Sequence, residues 1–463
     1  MISFLLVIIL FPVYSAINPL VVKESALKNH PSVLAAMEKF RAQNEAIIKA
    51  KGSFDTKIIS DYKRQTKDDY RNTVSRSFLV KPFPVANSKI YVGSEQISNG
   101  SGRFSPVYNT GNPSTTGQPG NYSVLGVQLS LWKNLFLDPN RAALKNAKYD
   151  AKIAEAEKML TELDIERLSQ LSYWEWLTAK KIKGVYEELL KNGETRNEFL
   201  TARSKRDDIA QIVVTENEQY IASRKGALQV ALERSTRSEY ALSLFFRDEN
   251  GAPIIPNPND EFEDYPSDLT SFLQNLDMNS DIDDLIKKRP DLVSLQLKMQ
   301  KSEVDLEVAR QDLKPQIDVT TEYFQRTEAN PNMPRDYLMV MAQVSIPIER
   351  NLGQGHIASA QARRMVAQNE MSLGQQAYKA EILSLRKAIQ LRLEQVTQAQ
   401  LEYQKAKELV VSENYKFKTG GGNLFLVNLR EQAQASAEET FHEARLNFMD
   451  AFLSYKALVS LKN

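Results

Sequence analysis

Four short stretches of the chain alternate apolar with small or polar residues at period two, the pattern of strands that bury one face. In YSVLGVQLSLW, Leu125, Val127, Leu129 and Leu131 share one side, opposed by Gly126, Gln128 and Ser130. In YLMVMAQVSIP, Leu338, Val340, Ala342, Val344 and Ile346 oppose Gln343 and Ser345. IDVTTEYF sets Ile317, Val319, Thr321 and Tyr323 against Asp318, Thr320 and Glu322, and KIISDYK, around Ile58 to Lys63, is the weakest of the four. Strands are therefore expected over about 55–65, 122–132, 315–325 and 337–347. Each is about ten residues, the length a tilted barrel strand needs to cross an outer membrane. Tyr62, Trp132, Tyr323 and Tyr337 fall near strand ends, where interfacial girdles form. A small soluble sandwich is the competing reading of these strands taken alone.

A second period governs most of the remaining chain. Tyr378, Ile382, Leu385, Ile389, Leu393, Val396, Ala399, Tyr403, Ala406 and Val410 recur at spacings of three and four, separated by Lys, Glu, Gln and Arg. The stripe is narrow, as in a coiled coil. No Pro interrupts such patterns over about 139–206 or about 353–418, and helices of that length extend about 100 Å. Shorter returning helices are expected over about 209–246 and 424–461, the second striped by Phe441, Ala444, Phe448, Ala451, Tyr455 and Leu458. Joined by tight turns, each long and short pair packs antiparallel.

The order of elements is written twice. ALKNHPSVLAAMEKFRAQNEAIIKAKGSFDTKI, from Ala26, aligns with LIKKRPDLVSLQLKMQKSEVDLEVARQDLKPQI, from Leu285, with Pro31 matching Pro290. Each copy continues as helix, strand, strand, long helix, turn and shorter helix, which divides the chain into a first repeat at 17–246, a linking segment at 247–280 and a second repeat at 281–463. The two strands of the first copy are separated by residues 68–121, rich in Gly, Ser, Asn, Pro and Thr and expected as a long exposed loop.

Composition narrows the chemistry. With 59 Lys and Arg against 58 Asp and Glu among 463 residues, the formal charge is +1 and carries no footprint for nucleic acid. There is no Cys, which removes thiolate nucleophiles, disulfides and Cys-ligated zinc together. His30, His356 and His442 stand far apart and are expected at the surface or as caps, with no metal site and no cofactor. The apolar run Ile2 to Val13 followed by Ser15 and Ala16 predicts a secretory signal at 1–16, although its n-region has no Lys or Arg; a short N-terminal anchor is the alternative. No other segment approaches the ~18 apolar residues of a spanning helix, so membrane residence would rest on strands. Gly420, Gly421 and Gly422 precede a helix, but no Lys-Ser or Lys-Thr pair follows them, so a turn needing positive φ explains them better than a phosphate loop.

The signal sequence, the duplicated order of elements and two helical tips together resemble the TolC family of outer-membrane factors. KRDDIAQIVVTENEQYIASRKGAL, from Lys205, is similar to the family's first-repeat tip, and YKFKTGGGNLFLVNLREQAQ, from Tyr415, to its second. LKPQIDV, VSIPIERNLGQGHIASAQA and LSLWKNLFLDPNRAALKNAK resemble the family's strand start and strand-to-helix junctions. The resemblance covers essentially the chain from Asn18 onward. It implies a mainly α fold with a membrane β-barrel portion, in which three protomers pool four strands each into a twelve-stranded barrel above a long α-helical barrel. It also implies a passive exit duct of a tripartite efflux or type I secretion system, not an enzyme. Its partners would be outer-membrane lipid, a periplasmic adaptor (membrane fusion) protein and an inner-membrane pump of the RND or ABC type.

On that resemblance the adaptor contacts are expected at Lys205, Arg206, Asp207, Asp208, Ile209, Thr419, Gly420, Gly421, Gly422, Asn423 and Leu424. The sequence departs from the family at both tips. Asp207 and Asp208 stand where relatives commonly have Gly then Asp, and Val213 where an acidic residue is frequent. Leu426 and Val427 stand where several relatives place an aspartate ringing the aperture. Asp207, Asp208, Arg430 and Glu431 are the nearest charged candidates for an aperture or gate. The expected lumen face of the barrel comprises Gln128, Ser130, Asp318, Thr320, Glu322, Gln343 and Ser345.

Two rival readings remain. An exported periplasmic coiled-coil scaffold without a pore accounts for the helical stripes and the signal, though not for the repeated strands. An exported hydrolase has least support, because acidic residues on long helices are ordinarily a solvated face.

Overall fold

The computed structural model describes residues 16–67, 70–100, 119–257, 261–274, 278, 281–328 and 335–459. Except for Ala16, the expected signal segment lies outside the described residues, as do residues 101–118 of the expected loop and the last residues of the expected final helix. The elements run α1 (Pro19–Asn29), α2 (Pro31–Lys51), β1 (Lys57–Lys67), β2 (Tyr70–Phe83), β3 (Ser88–Gly100), β4 (Gly120–Ser130), α3 (Pro139–Ser204), α4 (Gln211–Ser243), α5 (Thr270–Gln274), α6 (Ile282–Lys288), α7 (Pro290–Gln311), β5 (Gln316–Arg326), β6 (Asp336–Ser345), α8 (Asn351–Lys418) and α9 (Leu424–Val459). Among the described residues, no helix is long and apolar enough to cross a membrane.

Helix starts follow local chemistry. Asn18 accepts from the Val21 amide at 2.8 Å to cap α1, and Asp281 caps α6 in the same way from Asp283 at 3.1 Å. Pro19, Pro31, Pro139 and Pro290 open α1, α2, α3 and α7, where a missing N–H costs nothing and φ is preset.

The chain divides into two compact units. One comprises residues 39–156 and 293–374 and holds all six strands; the other comprises 1–38, 157–292 and 375–463 and holds the helical tips. In the second unit, the segment after α4 packs on the middle of α3. Tyr173 donates to the carbonyl of Glu263, Thr178 shares a 2.8 Å bond with the Tyr265 hydroxyl, and Trp174 stacks on Tyr265 with centroids 4.7 Å apart. His442, expected at the surface or as a cap, is instead buried beside Phe441, with Arg445 and Lys181 close enough to act on its charge. Its place is set by the apolar stripe of α9, on which position 442 faces inward.

The strand count needs correction. Four strands were expected, and residues 68–121 as a loop; β2 and β3 occupy much of that stretch, and among the described residues the sheet has six strands in the order β1-β2-β3-β4-β5-β6, every neighbouring pair antiparallel. The physical reason lies in the β2–β3 turn. Ala86 and Asn87 both take positive φ, 52° and 45°, which suits the twist of a tight hairpin, and the turn is tied to β4 by Ser130 N–H donating to the Ala86 carbonyl at 3.0 Å.

Candidate functional site

Two regions carry chemistry, one in each unit. The first is the sheet. Pairing register places directly opposed residues on one face, and successive rows can be followed through all six strands. One row runs Ile59, Phe78, Gly93, Val124, Phe324 and Tyr337; the next runs Lys57, Val80, Tyr91, Gly126, Glu322 and Met339. From β2 to β5 these side chains cover one another, whereas Lys57 and Ile59 on β1 are exposed. Phe324 is fully buried, stacked on Tyr337 at 4.9 Å and met edge-on by Tyr122.

Two glycines let neighbouring aromatics lie flat on the strands. A Cβ at Gly93 would come 2.7 Å from the Phe78 ring and 2.0 Å from the Ser77 carbonyl oxygen, and one at Gly126 would come 2.2 Å from the Tyr91 ring. Lying over Gly126, Tyr91 reaches across β4 and donates to Glu322 of β5 at 2.5 Å. Aromatic cover of a strand glycine pins register as well as filling space.

A charged row lies on the same face. Asp61, Arg76, Glu95, Tyr122 and Arg326 are in register across β1 to β5. Arg76 and Glu95 form a buried ion pair at 3.9 Å, and Arg326 donates to the Tyr122 hydroxyl at 3.2 Å with its guanidinium 5.4 Å from that ring. Ser130 donates to Asp318 at 2.7 Å further along. All seven residues expected on a polar face, Gln128, Ser130, Asp318, Thr320, Glu322, Gln343 and Ser345, share this face. Gln343 and Ser345 are exposed on β6, whereas Ser130, Asp318, Thr320 and Glu322 are buried. The opposite face is open and largely apolar on β4 to β6, where Leu125, Val127, Leu338, Val340 and Val344 are exposed, Leu338 and Val340 to 64% and 63%; on β1 to β3, Ile58, Leu79, Ile90 and Val92 share it with the exposed Ser60, Ser77, Ser94 and Gln96.

The second region is the helical tip, where α3 and α8 end in the same way. Asp207 N–H donates to Ser204 O and Asp208 N–H to Arg203 O, at 3.0 and 3.1 Å; Gly420 N–H donates to Phe417 O and Gly421 N–H to Lys416 O, at 3.2 and 3.0 Å. Both are Schellman caps, with the left-handed position held by Asp207 (φ 63°) after α3 and by Gly420 (φ 83°) after α8. Gly422 is required by close approach, since a Cβ there would lie 2.6 Å from the Phe417 nitrogen. Asn423 then caps α9, accepting from Phe425 N–H at 2.9 Å.

Leu200, Val214 and Leu424 form one buried cluster with Ile209, Val213 and Phe417 packed on it. The structure thus brings the two tips together and gives Ile209 and Leu424 a packing role, while Lys205, Arg206, Asp207, Asp208, Thr419, Gly420, Gly421 and Asn423 stay exposed. Val213, where the family resemblance leads one to look for an acid, serves this apolar contact.

The charged candidates separate. Asp207 and Asp208 are exposed and Arg430 is half-buried, but Glu431 is buried among cations. It accepts from Arg224 at 2.9 Å and from Arg196, while both arginines also donate to the Asn428 side chain, at 3.1 and 2.7 Å. Arg224 further donates to the Leu189 carbonyl at 2.8 Å. The network ties α9 to α3 and α4. Sequence reasoning missed Arg196, Arg224, Arg76, Glu95 and Tyr91, because each looks like a solvated or loop residue until its partner on another element is known. Among the described residues, no group of His, Asp and Glu is placed to hold a metal ion.

No protein-family model and no curated protein matches the sequence. Solved structures do match, over nearly the whole chain. A membrane protein from Pseudomonas aeruginosa superposes with a TM-score of 0.70 at 13% identity, covering 96% of this chain and 92% of that one. The outer-membrane channel CmeC of Campylobacter jejuni gives 0.67 at 13% identity, covering 95% and 85%. The outer-membrane protein VceC of Vibrio cholerae gives 0.66 at 15% identity, covering 96% of each chain. The fold of this chain is therefore that of the TolC-like outer-membrane channels.

Proposed function

We propose that the chain is one protomer of an outer-membrane exit duct, a passive conduit in a tripartite efflux or type I secretion system. One observation carries the reading: a sheet with an exposed, largely apolar face on one side, polar groups packed on the other, and, among the described residues, β1 and β6 each paired on one edge. In hydrocarbon, open edges leave N–H and C=O groups without partners, so several copies must pool their sheets into one closed barrel. The apolar face then meets lipid and the face bearing Gln128, Thr320 and Glu322 meets the lumen.

The stagger of the sheet supports this. Following the pairing from Lys57 at the start of β1 leads to Met339 in β6, six residues short of the end of β6 at Ser345. Six residues at ~3.3 Å across five strand spacings of ~4.8 Å corresponds to a tilt of about 40°, the tilt of barrel strands.

The remaining assignments follow the family resemblance. Three protomers form the duct, exported by the N-terminal signal into the outer membrane of a Gram-negative cell with the helices in the periplasm. A periplasmic adaptor docks on the exposed tip residues Lys205 to Asp208, Thr419 to Gly421 and Asn423, and an inner-membrane pump supplies the energy. Opening is a shift of α8 and α9 against α3 and α4, with the Arg196–Glu431–Arg224 tie as the contact that must yield, and Asp207, Asp208 and Arg430 as charges at the aperture. Planar-bilayer conductance of the purified oligomer, together with its subunit count, tests the proposal. Discrete channels from a trimer are expected. Release of the protein from membranes by high salt, with no conductance, would favour the pore-less scaffold instead.

A further inference from the structure

Resting on the duct reading, we infer that the barrel receives six strands from each protomer, eighteen in a trimer, so that its transmembrane mouth is about 1.5 times as wide as a twelve-stranded one. The inference turns on where the β2–β3 hairpin sits. A hairpin inserted above the membrane would leave β1 paired with β4. Here β1 pairs with β2 along its whole length, Lys57 to Lys67, and β4 pairs with β3 from Gly120 to Gln128. The hairpin therefore lies within the wall, between the two strands that would otherwise meet, at the same level as β5 and β6.

Its length and surface fit that position. β2 and β3 have 14 and 13 residues, enough to span the hydrocarbon at the tilt deduced above. Leu79, Ile90 and Val92 continue the exposed apolar face of Leu125, Val127 and Val340 over the helix-side half of the hairpin, and Ser75, Ser77, Ser94 and Gln96 follow on the same side toward its other end. On the other face the hairpin is pinned to its neighbours: Phe78 lies over Gly93, and Tyr91 crosses Gly126 to reach Glu322 on β5. The turn at its helix-side end is short and hydrogen-bonded to Ser130, as turns on the periplasmic side of such barrels are. The stagger deduced for one protomer is kept when three are joined, so the wider barrel closes without altering strand tilt.

Single-particle imaging of the full-chain oligomer in lipid nanodiscs, with its mass measured in parallel, counts the strands. Eighteen in a trimer is the expected result. A trimer with twelve strands and residues 70–100 outside the wall, or a dimer sharing twelve, would overturn the inference while leaving a membrane duct in place. A water-soluble particle without a barrel would remove the duct reading itself. A variant lacking residues 70–100 provides a second readout. If it inserts, the largest neutral polymer that enters from the outer side should fall by about one third in diameter, whereas an unchanged limit counts against the hairpin as part of the wall. If it fails to insert, the strand count of the full chain still decides.

Discussion

Asp207 and Gly420 occupy the same position of the same capping motif, after α3 and α8, and only one of them suits it. A left-handed φ costs an L-residue roughly 1 kcal/mol that glycine does not incur. Asp207→Gly is thus expected to stabilise the tip unit by about 0.5–1 kcal/mol, and Gly420→Asp to destabilise it by a similar amount, read from denaturant midpoints at constant m-value. Glu431 is a different case, since among the described residues it is the carboxylate paired with Arg224, in a place closed to water. Glu431→Gln leaves that charge buried and should cost on the order of 3 kcal/mol; under the proposed gating it also raises the open fraction in bilayers. Unchanged stability and unchanged gating would show that the network carries neither role. His442 gives a pH dependence. Burial, then Arg445 and Lys181, lower its pKa to about 4 from 6.5. The proton therefore binds the unfolded chain more readily, and the protein should lose stability as pH falls from about 6.5 towards 4, by no more than about 3 kcal/mol. Thermal melts of the wild type and His442→Gln at pH 7.5 and 5 check this: the variant should lose less on acidification.

At the scale of elements, the two faces of the sheet differ in what they tolerate. Val340 and Thr320 lie on neighbouring strands but on opposite faces. A lysine on the lipid side costs roughly 2–4 kcal/mol near mid-membrane. Val340→Lys should accordingly reduce the amount of oligomer recovered from membranes, whereas Gln343→Lys, at an exposed position of the face that Thr320 shares, should assemble normally and shift ion selectivity towards anions. Equal yields would place the lipid face elsewhere. The elements were unequally legible. The α8 stripe could be read because its apolar residues keep one spacing over many turns. The strands β4, β5 and β6 could be read because one side is consistently apolar. β2 and β3 could not. In β2, Val74, Arg76, Phe78 and Val80 share a face that mixes charge with aromatic rings, and the other face has Ser75 and Ser77 beside Leu79. In β3 the outward side changes from Ile90 and Val92 to Ser94 and Gln96. Without contrast between faces, period two leaves no trace, and the surrounding Gly, Ser and Asn read as loop.

For the whole molecule, the proposed duct makes each protomer incomplete alone. Cysteine pairs engineered between neighbouring protomers around Thr419 to Leu424 should hold the pore shut when oxidised and release it on reduction; equal conductance in both states would argue against a gate at that tip. The chain has no native cysteine to confuse the experiment. What the amino-acid order by itself determined is the helical and strand periods, because these depend on spacing along one chain; the helical tips were legible through the residues that resemble the TolC family. The tertiary structure decided the six-stranded sheet, the Tyr91–Glu322 bond across β4 and the burial of Glu431 between two arginines. Each of those depends on partners 207 or more positions apart in sequence, or on register between strands, and no local pattern encodes which distant residue will arrive.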